Sequence, residues 1–168
     1  MPLTDTYLDV FLSVVHVFAW SIYVGGAICM EFVLNYAQQS MKPSQTAVVC
    51  EFSGKRYRWW SFLCLLALLA TGSLMALRAG WSLDSTQGVA VILLVVFWIT
   101  QMTTLGLLTF RFHPDMHARL DTSMTQEEMK RERARVGVAI VRMAATVRIE
   151  LAVAVLAMLT GASLHTVA

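Results

Sequence analysis

Four long apolar segments restrict the folds open to this chain more than any other feature. They cover residues 8–36, 59–77, 88–110 and 136–164. Each is long enough to cross a membrane, since a helix needs ~20 residues to span a hydrocarbon core of ~30 Å. None alternates with the period of a barrel strand. With 57% hydrophobic and 14% charged residues, the chain is also too apolar for a soluble domain. We therefore predict an all-α, polytopic membrane four-helix bundle formed by a single domain, residues 1–168.

The basic residues are divided unevenly among the connections, and this predicts the orientation. The first and third connections and their edges carry nearly all of them: Lys42, Lys55, Arg56, Arg58, Arg111, Arg119, Lys130, Arg131, Arg133 and Arg135. The second connection has only Arg78, and the terminal segments have none. Because cytoplasmic loops are enriched in Lys and Arg, both termini are predicted on the outer, periplasmic side. The net charge of +2 follows from these loops and does not argue for nucleic acid.

Two helix starts can be examined in the sequence. No basic residue precedes Lys42, and the first apolar segment is about twice the length of a signal-peptide core, so we expect it to remain as a helix. Thr125 and Glu128 have the spacing of a capping box. The fourth helix is therefore expected to begin before the apolar segment starts at Val136.

Ionisable residues inside the apolar segments are the candidate functional residues. Such groups are costly in a bilayer and usually face a bundle interior, a cofactor or a conduction path. His16 shares one predicted face of the first helix with Trp20 and Tyr23, and Glu150 lies within the fourth segment. Counting ~1.5 Å per residue places His16 and Glu150 at similar depths. We expect a contact between them or a ligand shared by them, although such a pair can also simply fix helix register.

Two further groups are weaker candidates. Glu31 and Arg142 are predicted to form a structural ion pair near the inner interface, where both side chains can reach the headgroups. His113, Met116 and His117 form the densest group of possible metal ligands, at the end of the third segment. Pro114 disturbs the helical geometry that the two histidines would need.

Three stretches resemble the copper-resistance D (CopD) family of membrane proteins. The first is His16-Val-Phe-Ala-Trp-Ser-Ile-Tyr23-Val-Gly25-Gly26. The second runs from Arg56-Tyr-Arg58 to Thr71-Gly72, and the third is Val147-Arg148-Ile149-Glu150-Leu151-Ala152. Tyr23 stands where that family usually has Trp, and Trp98 stands where a Lys is common.

The resemblance implies a bacterial inner-membrane protein of copper uptake or resistance, within a superfamily that includes haem proteins of the HemJ type. Copper is the first expectation, with His16 as a ligand, because Cu(I) prefers imidazole, thiolate and thioether donors. Haem b is the alternative, with His16 as an axial ligand and Glu150, Trp20 and Tyr23 lining the site. A structural accessory subunit without a ligand is the third. An enzyme is not expected, because the extramembrane segments are small.

The expected partners follow from these alternatives. Membrane lipids should cover the outer faces of the bundle, as for any polytopic protein. Other membrane subunits, or a periplasmic copper or redox protein, are further partners implied by the resemblance. The sequence leaves open the choice among copper, haem and no ligand.

Overall fold

A computed structural model describes residues 3–34, 36–37, 40–41, 43–80, 85–112 and 125–166. These residues form four long helices, with no strand in the described ranges. Helix α1 spans Leu3–Ile28 and α2 spans Pro43–Ala79, while α3 spans Thr86–Gly106 and α4 spans Gln126–Thr166. π-Helical segments extend α1 over Cys29–Leu34 and α3 over Leu107–Phe112.

The prediction of a helical membrane protein with four spans is confirmed. Each helix contains a stretch long and apolar enough to cross a bilayer: Thr6–Leu34, Phe52–Ala79, Thr86–Arg111 and Gln126–Ser163. Large apolar side chains point outward along these stretches, including Phe11, Phe18, Phe32 and Phe110. A bundle with such a surface is stable where lipid, rather than water, surrounds it.

Two helices begin earlier than their apolar segments. Helix α2 starts at Pro43 rather than at residue 59, with proline in the first turn, where its missing N–H costs nothing. The basic stretch before Trp59 is therefore helical. Helix α4 starts at Gln126, and the predicted capping box is confirmed. The Thr125 N–H and hydroxyl both donate to Glu128 Oε2 at 2.8 Å, and the Glu128 N–H donates to Thr125 Oγ1 at 3.4 Å.

A reversal of the chain joins α2 to α3. Gly80 has a φ of +65°, a conformation that favours glycine, and its N–H donates to the Leu77 carbonyl at 3.3 Å. Ser85 caps α3 by accepting from the Gly88 N–H at 3.0 Å.

The helices run alternately up and down, so the bundle has two distinct ends. At one end Arg78 Nε, near the end of α2, donates to Asp9 Oδ1, near the start of α1, at 2.6 Å. We call this the terminal end, because α1 begins and α4 finishes there. The opposite end, where α1 finishes and α4 begins, is called the loop end. Helix α1 packs most extensively on α2, and α3 on α4.

The core is small and lies midway between the two ends. Its central members are Ala19, Tyr23, Cys64, Leu65, Leu68, Leu105 and Ala154, which come from all four helices. Trp98 of α3 connects the two helix pairs, because its indole N–H donates to the Leu65 carbonyl of α2 at 2.8 Å. The bond is consistent with the sequence, in which Trp98 brings a polar N–H into the middle of the third apolar segment.

Candidate functional site

His16 is bonded to α2 through one ring nitrogen. Its Nδ1 lies 2.8 Å from Thr71 Oγ1. The Thr71 hydroxyl in turn donates to the Ala67 carbonyl at 2.7 Å, which uses its only hydrogen. With that hydrogen used, the contact between His16 and Thr71 is a hydrogen bond when Nδ1 carries a hydrogen. In the neutral imidazole the lone pair then lies on Nε2, for which no partner is found among the described residues.

Gly72 lies beside the imidazole. A Cβ at residue 72 would lie 3.4 Å from His16 Cε1, which is ordinary van der Waals contact, so the ring packs closely on this part of α2. Thr71 orients the ring, and Gly72 lies against it. We call His16, Thr71 and Gly72 the histidine level.

Glu150 lies in a separate polar cluster nearer the loop end. Its side chain is buried, with 1% of the residue exposed. Tyr57 of α2 donates to Oε2 at 3.0 Å, and Thr104 Oγ1 of α3 lies 3.2 Å from Oε1. No lysine or arginine among the described residues forms an ion pair with this carboxyl group. We call Glu150, Tyr57 and Thr104 the glutamate level.

Two buried polar side chains border the glutamate level. Tyr23 of α1 is 1% exposed and lies near Glu150 and Tyr57, yet its hydroxyl has no hydrogen-bond partner among the described residues. Gln101 of α3 is 2% exposed, and within the same part of the chain its Nε2 also has no partner. The four helices thus each place at least one polar side chain near the bundle centre.

Glycine permits the glutamate level to form. A Cβ at Gly26 of α1 would lie 3.2 Å from Cδ2 and Cε2 of the Tyr57 ring, which is tighter than most Cβ contacts in proteins. At the adjacent Gly25 a Cβ would meet nothing within 4 Å. Of the Gly25-Gly26 pair, only Gly26 is needed for the ring of Tyr57 to reach Glu150.

The expected contact between His16 and Glu150 does not form. Their partners on α2, Thr71 and Tyr57, are separated by about 21 Å of helix at ~1.5 Å per residue. The predicted equal depth of the two residues was therefore wrong. Counting residues from the ends of the apolar segments does not give the register between helices, and α4 runs from Gln126 through Val136 without a break.

The predicted Glu31–Arg142 ion pair is also wrong. Glu31 Oε1 instead accepts from Arg148 Nε at 2.7 Å, and Arg142 is exposed. Glu31 lies in the π-helical segment that begins at Cys29. Because a π-helix closes i→i+5 hydrogen bonds, its turns are wider, and α-helical spacing does not give the direction of Glu31.

The remaining predicted site residues are Trp20 and the group at the end of the third apolar segment. Trp20 is half-buried and its ring centroid lies 6.2 Å from that of Tyr23, tilted by 47°. His113, Met116 and His117 lie outside the described residues. Within the described residues, no three side chains of His, Cys, Asp or Glu come together as a metal site.

The histidine and glutamate levels lie within the part of the chain that matches a protein family. Residues 10–165 match the family of predicted integral membrane proteins designated DUF2269. The chain belongs to this family. No curated protein and no solved structure matches the chain. Every residue of the two levels of this DUF2269 protein falls inside the matched range.

Sequence reasoning missed Tyr57 and Thr104 as the partners of Glu150. Tyr57 stands between Arg56 and Arg58, which resembles a loop edge, although Arg58 is itself buried. The sequence did contain a signal for an inward face of α2, because Tyr57, Ser61, Cys64 and Leu68 follow helical spacing. In the structure all four are buried. Thr104 could not be chosen over the neighbouring threonines without knowing how α3 is rotated against α4.

Proposed function

We propose that this protein handles copper within the membrane and that His16 binds the ion through Nε2. The observation that supports this is the hydrogen bond from Nδ1 to Thr71, which directs the lone pair to Nε2. Histidines that bind metals generally donate their other ring N–H to a fixed acceptor, which sets the tautomer and ring orientation. The resemblance of the three stretches to CopD proteins points to the same ion.

Met75 is the candidate for a further donor of suitable chemistry. It is one helical turn from Thr71 on the same side of α2 and is half-buried. Thioether and imidazole donors favour Cu(I) over harder cations. Copper is here the cargo, so a site with few donors suits an ion that must also leave.

Haem b is the second candidate, because the same free nitrogen can act as an axial ligand. His16 would then supply one iron ligand from α1, while Trp20 and Tyr23 extend along the same helix. The second axial ligand would have to come from another side chain or another subunit. A structural accessory subunit, with no ligand at all, is the third candidate.

The proposed surroundings follow from copper handling. We place the protein in a bacterial inner membrane, with lipid around the bundle and the terminal end on the periplasmic side. A periplasmic copper or redox protein, or another membrane subunit, would then exchange the ion at that end. The distribution of loop charge supports this orientation.

The test is ligand analysis of the purified protein and of three variants. His16→Ala should lose bound copper, measured by mass spectrometry after loading with Cu(I). Thr71→Val should weaken binding by roughly ten-fold or more, because the orienting acceptor is gone. His165→Ala, in the last turn of α4, is the matched control and should bind copper like the wild type.

Each alternative gives a different result in the same experiment. A Soret band in the wild type that disappears in His16→Ala would support haem and contradict copper. If His16→Ala alters neither copper nor haem content, both ligand proposals fail. The accessory-subunit candidate would then be favoured.

A further inference from the structure

The carboxyl group of Glu150 is buried at the centre of four apolar helices without a counter-ion among the described residues. An isolated carboxylate in such surroundings is very costly, and buried acids without a partner usually become neutral. Each neighbouring helix presents an uncharged side chain to it. These are Tyr23 from α1, Tyr57 from α2 and Thr104 from α3. Arg148, on its own helix, is directed to Glu31 instead.

The single hydrogen of the Thr104 hydroxyl has two acceptors within reach. Its oxygen lies 2.9 Å from the Gln101 carbonyl and 3.2 Å from Glu150 Oε1. A carbonyl can only accept, so when Thr104 donates to Gln101 the contact with Oε1 is a hydrogen bond only if Glu150 supplies the hydrogen. Tyr57 already donates to the other oxygen, Oε2.

We infer that Glu150 is a reversible proton-binding site, held as a neutral acid with its proton on Oε1 and directed at Thr104. The inference does not depend on a ligand at His16. On release, the Oε1–H bond breaks and the proton passes to a water molecule, forming hydronium. The Thr104 hydroxyl then rotates from the Gln101 carbonyl to Oε1 and donates to the new carboxylate.

Two buried polar groups near the glutamate level support proton exchange at this site. The Tyr23 hydroxyl and Gln101 Nε2 are buried and have no hydrogen-bond partner among the described residues. Buried polar groups of this sort commonly bind water, which needs two to four polar partners. Ionisable residues inside membrane spans face a bundle interior or a water-filled cavity and mark proton relays.

Infrared spectroscopy of the protein in lipid nanodiscs tests the inference directly. The wild type should show a carboxylic acid C=O band near neutral pH that Glu150→Gln abolishes. Gln keeps an acceptor for Tyr57 and a donor for Thr104, so this variant should fold. The band should decrease as the pH is raised and return when it is lowered. Glu31→Gln is the matched control and should remove carboxylate signal only, because Glu31 is paired with Arg148.

A second variant keeps the test decisive if Glu150→Gln fails to fold. Thr104→Val retains the carboxyl but removes its hydrogen-bond acceptor, so the C=O band should shift to higher frequency. Absence of any band sensitive to residues 150 and 104 would show that Glu150 is ionised and overturn the inference. A band that is insensitive to pH would overturn the exchange of the proton. Neither result depends on copper or haem.

Discussion

At the scale of single residues, the bundle is organised by polar side chains that reach partners on other helices. His16 is bonded to Thr71, and Glu150 to Tyr57 and Thr104. A glycine lies beside each level, and a Cβ would be tighter at Gly26, 3.2 Å from the Tyr57 ring, than at Gly72, 3.4 Å from the imidazole. Gly26 is therefore the position at which a small residue serves one specific side chain.

The Gly25-Gly26 pair gives a matched test of this view. Gly26→Ala should destabilise the protein by about 1 kcal/mol, because the new methyl group overpacks the Tyr57 ring. Gly25→Ala should be neutral or slightly stabilising, since its Cβ has open space and alanine favours helix. Thermal unfolding in detergent measures both. Equal melting temperatures for the two variants would contradict the role given to Gly26.

At the scale of helices, α1 and α3 both depart from regular geometry in a π-helical end. Glu31 lies in the π-helical end of α1, whereas Tyr23, on the α-helical face predicted in the sequence, is buried. The spacing therefore predicted the inward face of α1 correctly up to Ile28. A change to wider turns leaves no simple mark in the sequence, so the partner of Glu31 could not be predicted.

Arg142 and Arg148 of α4 should consequently differ in their coupling to Glu31. The side chain of Arg148 is 63% exposed and that of Glu31 is 12% exposed, so the pair lies at the edge of the bundle. A double-mutant cycle with Glu31→Gln and Arg148→Gln should give a coupling of roughly 1 kcal/mol or less. The same cycle with Arg142→Gln should give none. A larger coupling to Arg142 would restore the original pairing.

At the scale of the whole molecule, the sequence was sufficient for the helix number and membrane class. The four apolar segments predicted four helices, and the capping box of Thr125 and Glu128 predicted where the last one begins. At the terminal end of the bundle, the helix ends lie close to the ends of the apolar segments. Depth was predicted less well. Apolar boundaries do not mark helix ends in α2 and α4. Counting from them placed Glu150 level with His16, whereas the partners of the two residues on α2 are separated by about 21 Å of helix.

Orientation is the remaining property of the whole molecule, and charge predicts it. Arg78, the one basic residue of the short connection, is bonded to Asp9, so the terminal end has little unbalanced positive charge. The loop end carries Lys55, Lys130 and Arg131. In a cysteine-free background, Tyr7→Cys should react with a membrane-impermeant maleimide in intact cells. Lys130→Cys, the matched control at the loop end, should react only after permeabilisation. The reverse pattern would place the termini in the cytoplasm and move the proposed copper exchange at His16 to that side.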